Sequence, residues 1–169
     1  MVRMVDEFCN ISVGNMPIIA SVIHNGHSVR SEVAEKLNIS ELDRLREEDP
    51  YTSEWTGVSD TKIICNRSRF EVDLNRVRKE AVYISSEDAW GLQVWKQKPS
   101  RGFIKRSLIQ YDEFYHGIRE VLLGMESKFG HFVLLDLHSY NYLRDGSNTL
   151  PGKLSLLTAF WLYASVIIF

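Results

Sequence analysis

Three strings set chemically capable side chains beside or inside apolar runs: Ile23-His24-Asn25-Gly26-His27-Ser28, Ser68-Arg69-Phe70-Glu71-Val72-Asp73-Leu74-Asn75-Arg76, and Asp136-Leu137-His138-Ser139-Tyr140. The third follows His131-Phe132-Val133-Leu134-Leu135, which reads as a buried strand. Imidazole and carboxylate suit a catalytic zinc, which takes three protein ligands and keeps one position for water. At such a site the pKa of water falls toward about 7, so hydroxide forms at neutral pH. His24 and His138 are the candidates by position. His27 is close enough to be a third ligand or an outer donor, and Glu48 and Asp49 each offer a carboxylate. Asp136 is placed to orient a ligating histidine from behind. The plainer reading stands beside this one: five histidines in 169 residues is ordinary, and a lone histidine is more often solvated or hydrogen-bonded than ligating. His116, within a helical pattern, and His131, beside Gly130, read that way.

Arg69, Asn75 and Arg76 form a second cluster. A guanidinium binds a carboxylate through two parallel hydrogen bonds, and a neighbouring amide adds a donor, so this group suits an anionic substrate. The competing reading is a buried ion pair of Asp73 with Arg69 or Arg76. Ser139 beside His138 makes no Ser-His-Asp triad, whose members converge from separate chain positions. No glycine-rich phosphate loop is present. The tryptophans at 55, 90, 95 and 161 form no evident platform with basic residues and read as core or hinge packing.

These residues need elements to position them. Pro17 to Ile23, rich in β-branched residues, reads as a central strand, followed by a loop from His24 to Ser28. There Gly26 supplies a positive φ or room for a ligand beside the backbone. Ser28 is the expected cap of a helix with Val29, Val33 and Leu37 on one face. Ser40 opens a second helix carrying Leu42 and Leu45, which Pro50 should end. Lys62-Ile63-Ile64-Cys65 and Phe70 to Leu74 read as short strands. Residues 80 to 106 read mostly as loop. Phe114, Ile118, Val121, Leu122, Met125 and Phe129 mark an amphipathic helix stopped by Gly130, and a strand follows over His131 to Leu137. The expected fold is α/β, a layered domain with a central mixed sheet flanked by helices. In such sheets ligands sit outside the carboxyl ends of strands, where His24 and His138 both fall.

Length and composition fit one domain that buries roughly two-thirds of its unfolded surface. A net charge of -2 gives no reason to expect nucleic acid or an anionic membrane as partner. Cys9 and Cys65 lack C-x-x-C spacing and read as reduced thiols. The N-terminus lacks a signal-peptide pattern, so the expected location is cytoplasmic. The chain changes character after Gly146: residues 154 to 169 carry no charge. A helix of that length falls short of the roughly 30 Å apolar core of a bilayer. The expected division is a domain over 1–146 and an apolar tail over 147–169, the tail being a buried terminal element, a marginal membrane anchor or a segment foreign to the fold.

At these positions the sequence resembles the N-formylglutamate amidohydrolase family. The resemblance rests on Ile23-His24-Asn25-Gly26-His27, Glu47-Glu48-Asp49-Pro50, the Ser68-to-Arg76 string and Asp136-Leu137-His138-Ser139-Tyr140-Asn141, and spans roughly His24 to Gly146. It implies an α/β fold distantly related to zinc carboxypeptidases. It also implies a metal-dependent hydrolase that cleaves the formyl amide of a small N-acyl amino acid, N-formylglutamate, to formate and glutamate, as in histidine degradation. On that resemblance His24, Asp49 and His138 are the expected ligands of a divalent metal, zinc by preference, with Glu48 and His27 as alternatives for the middle position. Asn75 and Arg76 match the pair that holds a substrate carboxylate, with Arg69 assisting or bracing it. Related zinc hydrolases place a glutamate near the metal as acid and base, expected here beyond the Asp-x-His-Ser string, yet nothing acidic follows Asp145. The expectation is therefore a chain with the metal and carboxylate half of the site and without that general base.

Overall fold

The computed structural model describes residues 3–5, 7–141 and 160–168, with side chains over residues 7–139. Six strands form one mixed sheet: β1 (Arg3–Val5), β2 (Cys9–Ser12), β3 (Ile18–Val22), β4 (Thr61–Cys65), β5 (Val133–Asn141) and β6 (Phe160–Ile168), in the order β1-β2-β4-β3-β5-β6. β3 lies parallel to β4 on one side and to β5 on the other, while the outer pairings are antiparallel. This is the α/β layered domain with a mixed sheet that the pattern implies. The three central strands are parallel because each crossover between them carries helical or turn structure to return the chain to the same edge.

Successive residues of β3 face opposite layers. Ile19 joins Ile63, Phe114, Ile118, Val121 and Met125 in the larger core, under the long helix α3 (Arg101–Phe129). Ala20 and Val22 face the other way, onto Leu137 and Trp55, where a 3-10 turn over Thr52–Val58 covers the sheet. α3 starts earlier than the apolar pattern suggests. Ser100 caps it by accepting from the Phe103 amide, and Phe103 is 1% exposed. The expected stop at Gly130 holds, with φ 73°.

The first helix is shorter than the 29–37 pattern, at α1 (Ser31–Ala34), and Ser28 does not cap it. The Ser28 hydroxyl instead donates to the Asn66 carbonyl at 2.7 Å, drawing the histidine-bearing loop onto the segment after β4. α2 (Glu41–Glu47) is capped by Ser40, which accepts from the Asp43 amide. It ends before Pro50, whose ring bars the preceding residue from helical geometry. Phe70 to Leu74 is not a strand. Ser68 turns the chain there: its hydroxyl accepts from the Phe70 amide, and its carbonyl accepts from the Glu71 amide. Such local bonds compete with a ladder. All five residues are buried nonetheless.

Gly26 has no positive φ. Its role is close approach, because a Cβ there would overlap the backbone of Asn66, so the tight neighbour is this chain rather than a ligand. Gly26→Ala is therefore expected to push the 24–28 loop off residues 66–67, at about 1–3 kcal/mol. A urea midpoint equal to that of the parent would contradict this.

The uncharged C-terminal stretch contributes a strand, not a helix: β6 pairs along the length of β5, with His138 opposite Tyr163. Among the described residues no helix is long and apolar enough to cross a membrane. The 147–159 part of the expected tail lies outside the described residues, apart from the question of where a domain boundary falls.

Candidate metal centre

Three elements converge at one end of the sheet. His24 stands two residues past β3, Asp49 follows α2, and His138 lies within β5, beyond the last residue that pairs with β3. One ligand atom from each of the three lies within 4.8 Å of the others. The Asp49 amide donates to the His24 carbonyl at 3.0 Å, so the backbone after α2 is tied to the loop after β3. This bond, with the turn enforced by Pro50, aims the Asp49 side chain inward. Asp49 Oδ2 is 2.8 Å from His138 Nδ1 and 3.6 Å from His24 Nδ1, and Ser139 Oγ donates to Asp49 Oδ1 at 3.2 Å. All three residues are buried.

Both histidines are held from behind. His24 Nε2 donates to Asp73 Oδ1 at 2.8 Å, and His138 Nε2 donates to Asp136 Oδ2 at 2.9 Å. A carboxylate on one ring nitrogen fixes the tautomer and turns the other nitrogen toward an ion. For His24 that other atom, Nδ1, is buried and has no hydrogen-bond partner among the described residues. A buried, unsatisfied nitrogen costs about 1–3 kcal/mol, and a bound cation would remove that cost. Two imidazoles and a carboxylate are the donor set that zinc accepts, at bond lengths of about 2.0–2.2 Å. The residues present fit a divalent metal, which His24, Asp49 and His138 could hold.

The electrostatics follow from this packing. Burial pushes the Asp49 carboxyl up, but the hydrogen bond with His138 and the nearby His24 imidazole outweigh it and bring it down to about 2. Burial pushes His138 down, while hydrogen bonds to Asp136 and Asp49 raise it to about 9. Burial also opposes ionisation of Asp73, yet His24, Arg69 and Tyr83 together hold its carboxyl well below the usual range.

Asp73 is the junction to the second cluster. It is fully buried, and besides His24 it accepts from Arg69 Nη2 at 2.8 Å, Tyr83 Oη at 2.6 Å and the Asn75 amide at 2.9 Å. The Arg76 Nε lies 3.4 Å away. The ion pair weighed against a substrate clamp is therefore present, and it involves both arginines. Arg69 is spent inside the protein: Nε donates to Tyr83 Oη and Nη1 to the Glu47 carbonyl. Arg76 is only partly engaged. Its Nη2 donates to the Asp88 carbonyl at 2.6 Å, its side chain is 25% exposed, and Asn75 beside it is exposed.

Glu48 and His27 pair with each other, away from this group. His27 Nδ1 hydrogen-bonds to Glu48 Oε2 and Nε2 to Glu41 Oε1, while Glu48 also accepts from Ser68 Oγ and Arg44 Nη2. His116 and His131 stand outside the cluster.

Two participants escaped the sequence reading. Tyr83, 1% exposed, carried no local sign, since its partner Asp73 is ten residues away and met only by a turn. Trp90 was read as packing. It is 40% exposed and takes a left-handed backbone with φ 54°, which is costly for a bulky residue. Its ring lies under Arg69 at 4.8 Å and Arg76 at 5.7 Å, and it meets the Tyr83 ring edge-on. Trp90 is thus a cation–π platform for both arginines.

The sequence model of N-formylglutamate amidohydrolase matches residues 16–155. No curated protein and no solved structure matches the chain. The match covers most of the chain, and the chain belongs to the N-formylglutamate amidohydrolase family, hydrolases that act on a small-molecule amide.

Proposed function

From that membership, we propose that the protein hydrolyses the N-formyl amide of N-formylglutamate, or of a similar N-acyl acidic amino acid, at a zinc site built by His24, Asp49 and His138. The observation that carries the reading is the convergence of three buried donors, one of them an unpartnered imidazole nitrogen. Zinc bound there supplies Lewis acidity, polarising the amide carbonyl and lowering the pKa of water toward neutrality.

The protein's own residues do the rest by position and charge. Asp73 and Asp136 hold the two rings with Nδ1 inward, so both imidazoles are already turned toward the ion's position. Arg76, resting on Tyr83 and Trp90, offers a guanidinium edge beside the exposed Asn75, and this pair binds the substrate carboxylate. Arg69 braces that arrangement through Asp73 and Tyr83 rather than reaching the substrate itself. Binding energy at the carboxylate then serves to hold the amide at the metal.

A second reading is a chain that binds metal and carboxylates without turnover. One observation favours it: among the described residues the cluster's three carboxylates, Asp49, Asp73 and Asp136, are each hydrogen-bonded to a site histidine, so none stands ready as general base. One experiment separates the readings. Purified full-length protein is supplied with zinc, and formate release from N-formylglutamate is followed with metal content on the same sample. Formate release with one zinc per chain is the expected result. One zinc without formate would establish the second reading, and no bound zinc would remove both.

A further inference from the structure

Two nucleophilic groups lie outside the site. Cys9 in β2 and Cys65 in β4 are partners across an antiparallel ladder, and their Sγ atoms are 2.8 Å apart. The register says more than the distance. The Asn66 amide donates to the Phe8 carbonyl at 2.9 Å, which makes Phe8–Asn66 a hydrogen-bonded pair. Bonded and non-bonded pairs alternate along an antiparallel ladder, so Cys9–Cys65 is a non-bonded pair. In such pairs the Cα atoms approach to about 4.5 Å, within the range of about 4.4–6.8 Å that a disulfide spans. The register thus puts the two residues where a cross-strand disulfide can span the ladder, although spacing alone suggested reduced thiols.

There is also a route in. A cavity of about 40 Å³ is lined by Phe8, Cys9, Gln110, Glu113 and Phe114 among others, and the Gln110 Oε1 is buried without a partner among the described residues. A cavity of this size holds a molecule on the scale of water. The Cys65 side chain is fully buried and does not line that cavity.

We propose that Cys9 and Cys65 form an oxidation site, where a small peroxide converts the thiol pair of the folded protein into a cross-strand disulfide. The peroxide reaches Cys9 through the cavity and oxidises its sulfur to the sulfenic acid, releasing one water. The Cys65 sulfur then attacks Cys9 Sγ, the Sγ–O bond breaks, and the hydroxyl leaves as a second water with the Cys65 proton. Two S–H bonds and the O–O bond are lost, one S–S bond is gained, and the two electrons pass to the peroxide. Burial pushes the Cys65 thiol up, so Cys65 carries little thiolate and its attack is slower than that of an exposed low-pKa cysteine. The product fastens β2 to the end of β4, immediately before the 66–76 segment that carries Asp73 and Arg76.

The test uses the full chain, reduced, cleared of reductant and exposed to hydrogen peroxide while folded. It is then denatured, alkylated and examined by thiol titration, peptide mapping and intact mass. The expected result is loss of both alkylable thiols with a Cys9–Cys65 linked peptide, a monomer on non-reducing electrophoresis, and full reversal by dithiothreitol. Cys9→Ser and Cys65→Ser should each abolish the linked peptide. Two thiols that survive peroxide, sulfinic oxygen on either cysteine without a linked peptide, or cross-linked dimers would each overturn the proposal.

Discussion

Replacing Asp49 by asparagine should strip the protein of stoichiometric zinc while leaving it folded. The substitution keeps the size of the side chain but removes the only carboxylate among the described residues that faces both His24 Nδ1 and His138 Nδ1. An amide is a far poorer ligand than a carboxylate for a divalent ion, and its NH2 group can turn toward His138 in place of an acceptor oxygen. Altering an outer-shell partner typically lowers affinity about 10–100-fold, and loss of a direct ligand should exceed that. Competition with a chromophoric chelator measures the effect, with a urea titration as the check on folding. Glu48→Gln is the matching control: Glu48 is occupied by His27, Ser68 and Arg44, so that variant should still take up zinc. Wild-type affinity in the Asp49 variant, or loss confined to the Glu48 variant, would move the third ligand elsewhere.

Asp73→Ala should be the most destabilising single change in the site. It removes a buried carboxylate that satisfies Arg69, Tyr83, His24 and the Asn75 amide at once. Arg69 would be left as a buried guanidinium without its partner, and breaking such a pair costs about 3–5 kcal/mol. His24 would also lose the acceptor that fixes its ring, so zinc affinity should fall by about 10–100-fold. The two effects are separable, since Asp73→Asn retains an acceptor for one donor and should recover part of the stability while affinity stays depressed. Denaturant midpoints and zinc titrations on both variants measure this. An alanine variant as stable as the parent would mean that Asp73 is not the junction described here.

Much of the scaffold was legible locally. The β-branched run ending at Ile23, the apolar run before Asp136, the Ser40 cap and the Gly130 stop depend on neighbours a few residues away, and strand periodicity and helix punctuation report such neighbours directly. Where a side chain was engaged elsewhere, local reading failed. Ser28 had a helix to cap but donates across to Asn66 instead. Phe70 to Leu74 alternates like a strand, yet Ser68 folds it into turns and every residue is buried. Residues 101 to 113 lacked the clean apolar face of the second half of α3, so the helix start passed unseen although Ser100 caps it.

The site divides the same way. The sequence by itself determined which types of group are available and that His24 and His138 stand near the carboxyl ends of two apolar strand runs, because strand runs and their ends are written in residue order; that those strands are parallel neighbours came from the sheet pairing. Whether Asp49, Glu48 or His27 faces those histidines was open. Only the tertiary structure chose Asp49, through the bond from its amide to the His24 carbonyl and the pairing of Glu48 with His27. The same holds for Asp73 joining two clusters, Trp90 lying beneath two arginines, and Cys9 meeting Cys65 in register. Each is a contact between segments distant in sequence, fixed by how the sheet and its loops pack, and no periodicity in the chain records which distant partner a side chain will meet.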